Sequence, residues 1–88
     1  MNRLANKISL VIGGVGGIGG AISQRFAGEG AQVYATSRKG AESQPESAGM
    51  GSIQTVRADA SDSADLQRVF ERVRSEQGRI DVLVVNAG

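Results

Sequence analysis

The sequence predicts an α/β fold: a doubly wound parallel sheet of four strands in the spatial order 3-2-1-4. Three observations carry this. Short β-branched apolar runs alternate with stretches of helical periodicity. The last run, Val82-Leu83-Val84-Val85, is apolar at four consecutive positions, as in strands covered on both faces. Glycines crowd the junction between the first run and the first helical stretch.

The elements follow in order. Ile8-Ser9-Leu10-Val11-Ile12 reads as a buried strand stopped by glycine. Ile18, Ile22 and Phe26 recur every fourth residue with Ala21 beside them, the stripe of an amphipathic helix that Gly28 and Gly30 end. Gln32-Val33-Tyr34-Ala35-Thr36 is a second strand. Ser37 to Ser52 is polar and holds Gly40, Pro45, Gly49 and Gly51, so a mostly irregular crossover is expected; Pro45 argues against a short helix over Ala41 to Ser47. Ile53-Gln54-Thr55-Val56 is a weaker third strand. Ala58 to Ser63 is rich in helix-capping residues and precedes Leu66, Val69, Phe70 and Val73 at helical spacing, with Gly78 as the stop. Ile80 to Val85 is the fourth strand.

Composition narrows the function. The chain has 88 residues, 40% hydrophobic and 22% charged, which is globular and at most one domain. With no cysteine and no histidine it has no disulfide, thiolate nucleophile, imidazole base or common zinc-ligand set. A net charge of +1 and three aromatic residues (Phe26, Tyr34 and Phe70) do not suit a nucleic-acid surface. No apolar run has membrane-spanning length and no signal-peptide core follows the amino terminus, so a cytoplasmic protein without nucleic-acid or membrane partners is expected.

Of 13 glycines, six stand at Gly13, Gly14, Gly16, Gly17, Gly19 and Gly20. A glycine-rich turn from strand to helix is a phosphate cradle, because helix N-terminal amides and the helix dipole face the anion and no Cβ blocks it. Two registers fit, Gly14-x-Gly16-x-x-Gly19 and Gly13-x-x-x-Gly17-Ile18-Gly19, and the glycines alone do not choose between them. A bare tight turn needs only one or two glycines. The Walker phosphate loop is excluded, since no Gly-Lys-Ser or Gly-Lys-Thr follows. The second strand ends in Thr36-Ser37-Arg38-Lys39, with no carboxylate until Glu42. An acidic residue there would hold a ribose 2′-hydroxyl, whereas Arg38 with Ser37 suits a 2′-phosphate, so NADP is expected over NAD. The competing reading makes Arg38 and Lys39 a solvated pair.

At this point the chain resembles the short-chain dehydrogenase/reductase family over its whole length. Gly13-Gly14-Val15-Gly16-Gly17-Ile18-Gly19 looks like the family's TGxxxGIG loop, Asp59 like its adenine-contacting aspartate, and Asn86-Ala87-Gly88 like the end of its NNAG motif. The resemblance selects the Gly13, Gly17, Gly19 register and implies a Rossmann-like fold. It implies that Gly13, Gly17, Ile18 and Gly19 line the pyrophosphate and that Ser37 and Arg38 meet the 2′-phosphate. Asp59 and Ala60 would then meet adenine, and Asn86, Ala87 and Gly88 would floor the adenosine ribose. Asp59 also reads as a simple helix cap together with Ser61 and Asp62. Three departures stand out. Ile12 replaces the threonine that ties the family's loop to neighbouring backbone, Val85 replaces the first asparagine of NNAG, and Gly16 stands where some NADP-preferring members carry a basic residue.

The family's activity is hydride transfer between nicotinamide and a carbonyl or alcohol carbon. Its serine and Tyr-x-x-x-Lys motif lie after the fourth strand, and Tyr34-Ala35-Thr36-Ser37-Arg38 is not that motif. Residues 1–88 are therefore expected to be a single, partial dinucleotide-binding domain without catalytic or metal-binding residues, inactive alone and part of a longer enzyme, which would act on a small carbonyl or alcohol substrate. A homo-oligomer is left open. The alternative is a non-catalytic nucleotide-binding module that self-associates through its fourth strand, whose apolar edge invites pairing. A methyltransferase with a similar glycine loop would want an acidic residue at the end of the second strand, and none is there.

Overall fold

The computed structural model describes residues 4–39 and 42–86. Among the described residues, five strands and two helices run in the order β1 (Ile8–Ile12), α1 (Gly17–Gly28), β2 (Gln32–Ser37), β3 (Glu46–Ala48), β4 (Gly51–Arg57), α2 (Ser63–Gln77) and β5 (Val82–Val85). They form one sheet in the order β3-β4-β2-β1-β5. The four anticipated strands are parallel and adjacent as expected: β4 beside β2, β2 beside β1, β1 beside β5.

The strand β3 was not anticipated. It pairs antiparallel with β4, Ser47 opposite Ser52 and Ala48 opposite Gly51, so the crossover ends in a hairpin rather than an irregular run. Its two-residue turn, Gly49-Met50, has Gly49 at φ 60°, in keeping with the turns that close such hairpins. The pairing also lengthens the third parallel strand, which starts at Gly51 rather than Ile53.

Side-chain alternation sorts the core into two layers. Ile8, Leu10, Ile12, Tyr34 and Val56 point to one side, where Val69 and Val73 of α2 cover them. Val11, Val33 and Ala35 point to the other, against Ala27 of α1 and Ala31. Every residue of β1 is buried because it has a strand on each side and a helix on each face. Burying a side chain such as Val69 or Val73 contributes about 1.5–3 kcal/mol.

The helix α2 follows its expected stripe: Val69 and Val73 are buried, and Leu66 and Phe70 are half-buried against the same cluster. The side chain of Asp62 caps it, accepting from the amides of Ala64 at 2.9 Å and Asp65 at 3.4 Å. In α1 the stripe differs from expectation. The buried positions are Gly19, Ser23 and Ala27, whereas Ile18 is 74% exposed and Ile22 and Phe26 only flank the contact. Small residues let this helix axis lie close to the sheet, and the larger ones are displaced to its sides.

The edge strand β5 pairs only with β1 among the described residues. Leu83 and Val85 lie on its α2 side and are 48% and 64% exposed. No helix among the described residues is long and apolar enough to cross a membrane.

Candidate functional site

Strand order reverses at β1: β2 and β4 lie on one side of it and β5 on the other. Parallel strands that diverge in this way leave a crevice beyond their carboxyl ends. Gly13 follows β1 there, Ser37 ends β2 and Arg38 follows it, Ala58 and Asp59 follow β4, and Asn86 follows β5. These ends surround a cleft of about 620 Å³ lined by Gly13, Ser37, Arg38, Asp59, Ala60 and Asn86, all anticipated from sequence, together with Thr36, Lys39, Ala58 and Ser61.

The remaining anticipated residues lie elsewhere. Gly17 and Ile18 stand exposed at the start of α1, and Gly19 is buried beneath the loop. A Cβ on Gly19 would overlap the carbonyl oxygen of Gly13, so this glycine serves a close approach of helix to loop. At Gly17 the reason is different: φ is 54° and a Cβ there would meet nothing within 4 Å. The position is open space in front of the helix. Ala87 and Gly88 fall outside the described residues.

The two helix starts contrast. The α2 terminus has its Asp62 cap and an acidic residue, Asp65, in the first turn. The α1 terminus begins at Gly16 with no side-chain cap and no acidic residue in its first turn. Its first-turn amides keep their capacity to donate to an anion.

The loop before α1 is held from several directions. The Gly13 amide donates to the Thr36 hydroxyl at 2.9 Å and the Gly14 amide to the Thr36 carbonyl at 3.0 Å. The Ser23 hydroxyl donates to the Gly14 carbonyl at 2.9 Å, and the Asn86 side-chain amide approaches the Gly13 carbonyl at 3.4 Å.

Across the cleft, Asp59 does not cap α2, since Asp62 does. Its Oδ1 accepts the Ser61 hydroxyl at 2.7 Å and the Ser61 amide at 2.9 Å, closing a local turn. These bonds, with the Arg38 guanidinium nearby, hold its carboxyl below the usual carboxylate range. The cleft thus places a fixed anion beside a cation. Sequence reasoning did not single out Thr36 or assign Ser61 to the site. The aspartate–serine spacing of Asp59 and Ser61 is a legible signal for such a turn; the role of Thr36 depends on strand register and has none.

Among the described residues no group of three or more histidine, cysteine, aspartate or glutamate side chains is placed to hold a metal ion. A smaller cavity of about 260 Å³ lies on the α1 side, between Gly14 to Gly16 and the β3–β4 hairpin.

A family model described as short chain dehydrogenase matches residues 7–88. Oxidoreductase asL5 of Sarocladium schorii is 35% identical over 89 residues, covering 100% of this chain and 36% of that protein. The 3-oxoacyl-acyl-carrier-protein reductase FabG of Escherichia coli is 39% identical over 84 residues, 93% of this chain and 34% of that protein. A short chain dehydrogenase structure from Burkholderia cenocepacia in complex with NADP superposes with a TM-score of 0.81 at 38% identity, over 99% of this chain and 38% of that one. The chain thus spans about a third of the length of these relatives.

Proposed function

The chain belongs to the short-chain dehydrogenase/reductase family, and from that premise we propose that residues 1–88 are the NADP(H)-binding part of an oxidoreductase that moves hydride between nicotinamide and a carbonyl or alcohol carbon. The observation that carries the reading is the uncapped start of α1 beside a cleft that gathers Gly13, Ser37, Arg38, Asp59 and Asn86. The pyrophosphate would lie over Gly17 and Ile18, where a helix terminus offers amides and no side chain competes. Gly19 supports this cradle from below. Arg38 and Ser37 would receive the 2′-phosphate, with paired charge-assisted hydrogen bonds from the guanidinium. Asp59, kept ionised and oriented by Ser61, would accept the adenine amino group beside Ala60. Asn86, Ala87 and Gly88 would lie under the ribose.

The bound nicotinamide supplies the hydride chemistry. This segment's residues bind and orient, and no proton-relaying tyrosine–lysine pair is among them. The chain is accordingly proposed to bind cofactor without turning over substrate. The preference for NADP over NAD rests on Arg38 and on the lack of a carboxylate at the end of β2, and the NADP complex of the Burkholderia cenocepacia structure supports it.

Calorimetric titration with NADPH and NADH tests the proposal. Binding of NADPH at least tenfold tighter than NADH is expected. Equal affinities would remove the NADP preference, and no binding of either would remove the dinucleotide reading.

A second reading, a module that self-associates through β5, is favoured by the exposure of Leu83 and Val85 on an edge strand. Sedimentation equilibrium distinguishes it: a dimer lost on Val85→Lys would support it, and a monomer at all concentrations would exclude it.

A further inference from the structure

We propose that Thr36 is the positioning residue that holds the glycine loop in shape for a pyrophosphate, doing from β2 what a residue immediately before the first glycine cannot do in this chain. The inference rests on the dinucleotide reading above.

Residue 12, immediately before the first glycine, offers no such tie, because it is Ile12. Its side chain is 2% exposed and packs in the core layer beneath α2 with Leu10 and Val69. It has no polar atom. The adjacent strand supplies one instead. The pairing of β1 with β2 runs in register to Val11 opposite Ala35. Two steps further, past Ile12, β1 has ended and the backbone turns at Gly13, whose φ is 75°. A regular ladder bond is lost there. The Thr36 hydroxyl replaces it, accepting the Gly13 amide at 2.9 Å, while the Thr36 carbonyl accepts the next amide, Gly14, at 3.0 Å. Thr36 is 1% exposed, so its orientation is fixed by packing.

Two consecutive loop amides are thus satisfied by one residue. The other side-chain bonds to this part of the loop, from Ser23 and Asn86, end on carbonyls, so neither satisfies a loop amide. A valine at position 36 has nearly the same shape and leaves the Gly13 amide without a partner. A half-buried orphan amide costs free energy, so the loop would turn it toward solvent or another acceptor. That rotation turns the Ile12 carbonyl, which shares the peptide plane and accepts the Asn86 amide at 2.8 Å, and so displaces Gly13, against whose carbonyl Gly19 packs, and with it the start of α1.

The test compares Thr36→Val, Thr36→Ser and the native chain with two ligands and one ligand-free readout. NADPH needs both the cradle and the Arg38 pocket. Adenosine 2′-phosphate has no pyrophosphate and needs only the latter. NADPH affinity is expected to fall about tenfold in T36V and to return to within about threefold of native in T36S, consistent with one hydrogen bond. Adenosine 2′-phosphate affinity is expected to stay unchanged in both. Hydrogen exchange of the Gly13 amide should be accelerated in T36V alone. Unchanged NADPH affinity in T36V, or an equal loss of both ligands, overturns the proposal, the latter because it would make Thr36 a general scaffold residue. If the native chain binds neither ligand, the dinucleotide reading fails, and the tether is then decided by exchange alone. Gly13 protection lost in T36V and kept in T36S upholds it, and protection unchanged in T36V overturns it.

Discussion

The carboxylate of Asp81 accepts the Ile8 amide at 2.8 Å, and the Asp81 amide in turn donates to the Ile8 carbonyl at 2.8 Å. This reciprocal pair joins the first residue of β1 to the residue preceding β5, the two strands between which the crevice opens. The same carboxylate oxygen takes the Arg79 guanidinium at 2.9 Å. The Ile8 amide, and then Arg79, hold the Asp81 carboxyl below the usual carboxylate range.

A pH dependence follows. A group whose folded pKa is depressed contributes stability above its unfolded pKa, about 3.9 for aspartate, and loses it as pH falls through the folded value. Asp59 and Asp65 are shifted in the same direction, by Ser61 and by the Asp59 amide with Arg68 respectively. The melting temperature should hold from neutral pH to about pH 5 and fall below about pH 4. Asp81→Asn should melt lower than native at pH 7, and the two curves should converge in strong acid. Coincident curves at pH 7 would show that the tie adds nothing.

Legibility in the sequence varied with how local each signal was. The parallel strands were legible because Ile8–Ile12 is apolar except at Ser9 and Val82–Val85 is apolar throughout, and α2 because its stripe and its capping turn agree. The strand β3 was not. Glu46-Ser47-Ala48 has no alternation of its own and is a strand only because a two-residue turn lays it against β4. The buried face of α1 was misread for a physical reason: close packing on the sheet selects Gly19, Ser23 and Ala27, which hydrophobic periodicity does not count, and leaves Ile18 outside. At the site, six residues drawn from four strand ends could be named from motifs and do line one cleft. Thr36 could not, because its bond to Gly13 spans 23 positions and exists only through sheet register.

The glycines of the loop should separate into two kinds on substitution. A Cβ at Gly19 overlaps the Gly13 carbonyl and comes within 2.9 Å of the Asn86 side-chain amide. Gly19→Ala should destabilise the fold by about 1–3 kcal/mol, the usual cost of overpacking. Gly17→Ala meets no atom and carries only the left-handed backbone cost of about 1–2 kcal/mol. It should retain its circular dichroism spectrum and lose NADPH binding, because the methyl group would occupy the space proposed for the pyrophosphate. A Gly17→Ala chain that binds NADPH normally would move the cradle elsewhere.

Arg38 is the residue on which cofactor choice is proposed to turn. Arg38→Asp replaces the cation facing a 2′-phosphate with an anion, and should weaken NADPH binding by about 2 kcal/mol, roughly 30-fold. NADH has no 2′-phosphate and should bind the variant no more weakly than the native chain. Calorimetry with both cofactors reads the difference directly. Parallel losses would mean that the substitution disturbs the cleft through Asp59 rather than through the phosphate.

Tyr34 offers a probe of the opposite core layer. Its hydroxyl donates to Glu76 at 2.6 Å and accepts from the Gln77 side-chain amide at 3.1 Å, tying the middle of β2 to the last turn of α2. Burial, and then the bond to Glu76, push the phenol pKa up. Here the sign is the reverse of the carboxylate case: the contribution is present below the unfolded value, about 10, and is lost as pH rises through it toward the folded value. Tyr34 is the only tyrosine and there is no tryptophan, so phenolate absorbance reports this one group. Its titration midpoint should lie above that of the chain unfolded in urea. Tyr34→Phe removes both bonds and should cost about 1 kcal/mol, lowering the melting temperature by about 4–8 °C. It should leave NADPH binding unchanged, since the phenol lies beneath α2 and does not line the cleft. A phenol that titrates alike in the folded and unfolded chain would show that α2 does not hold it.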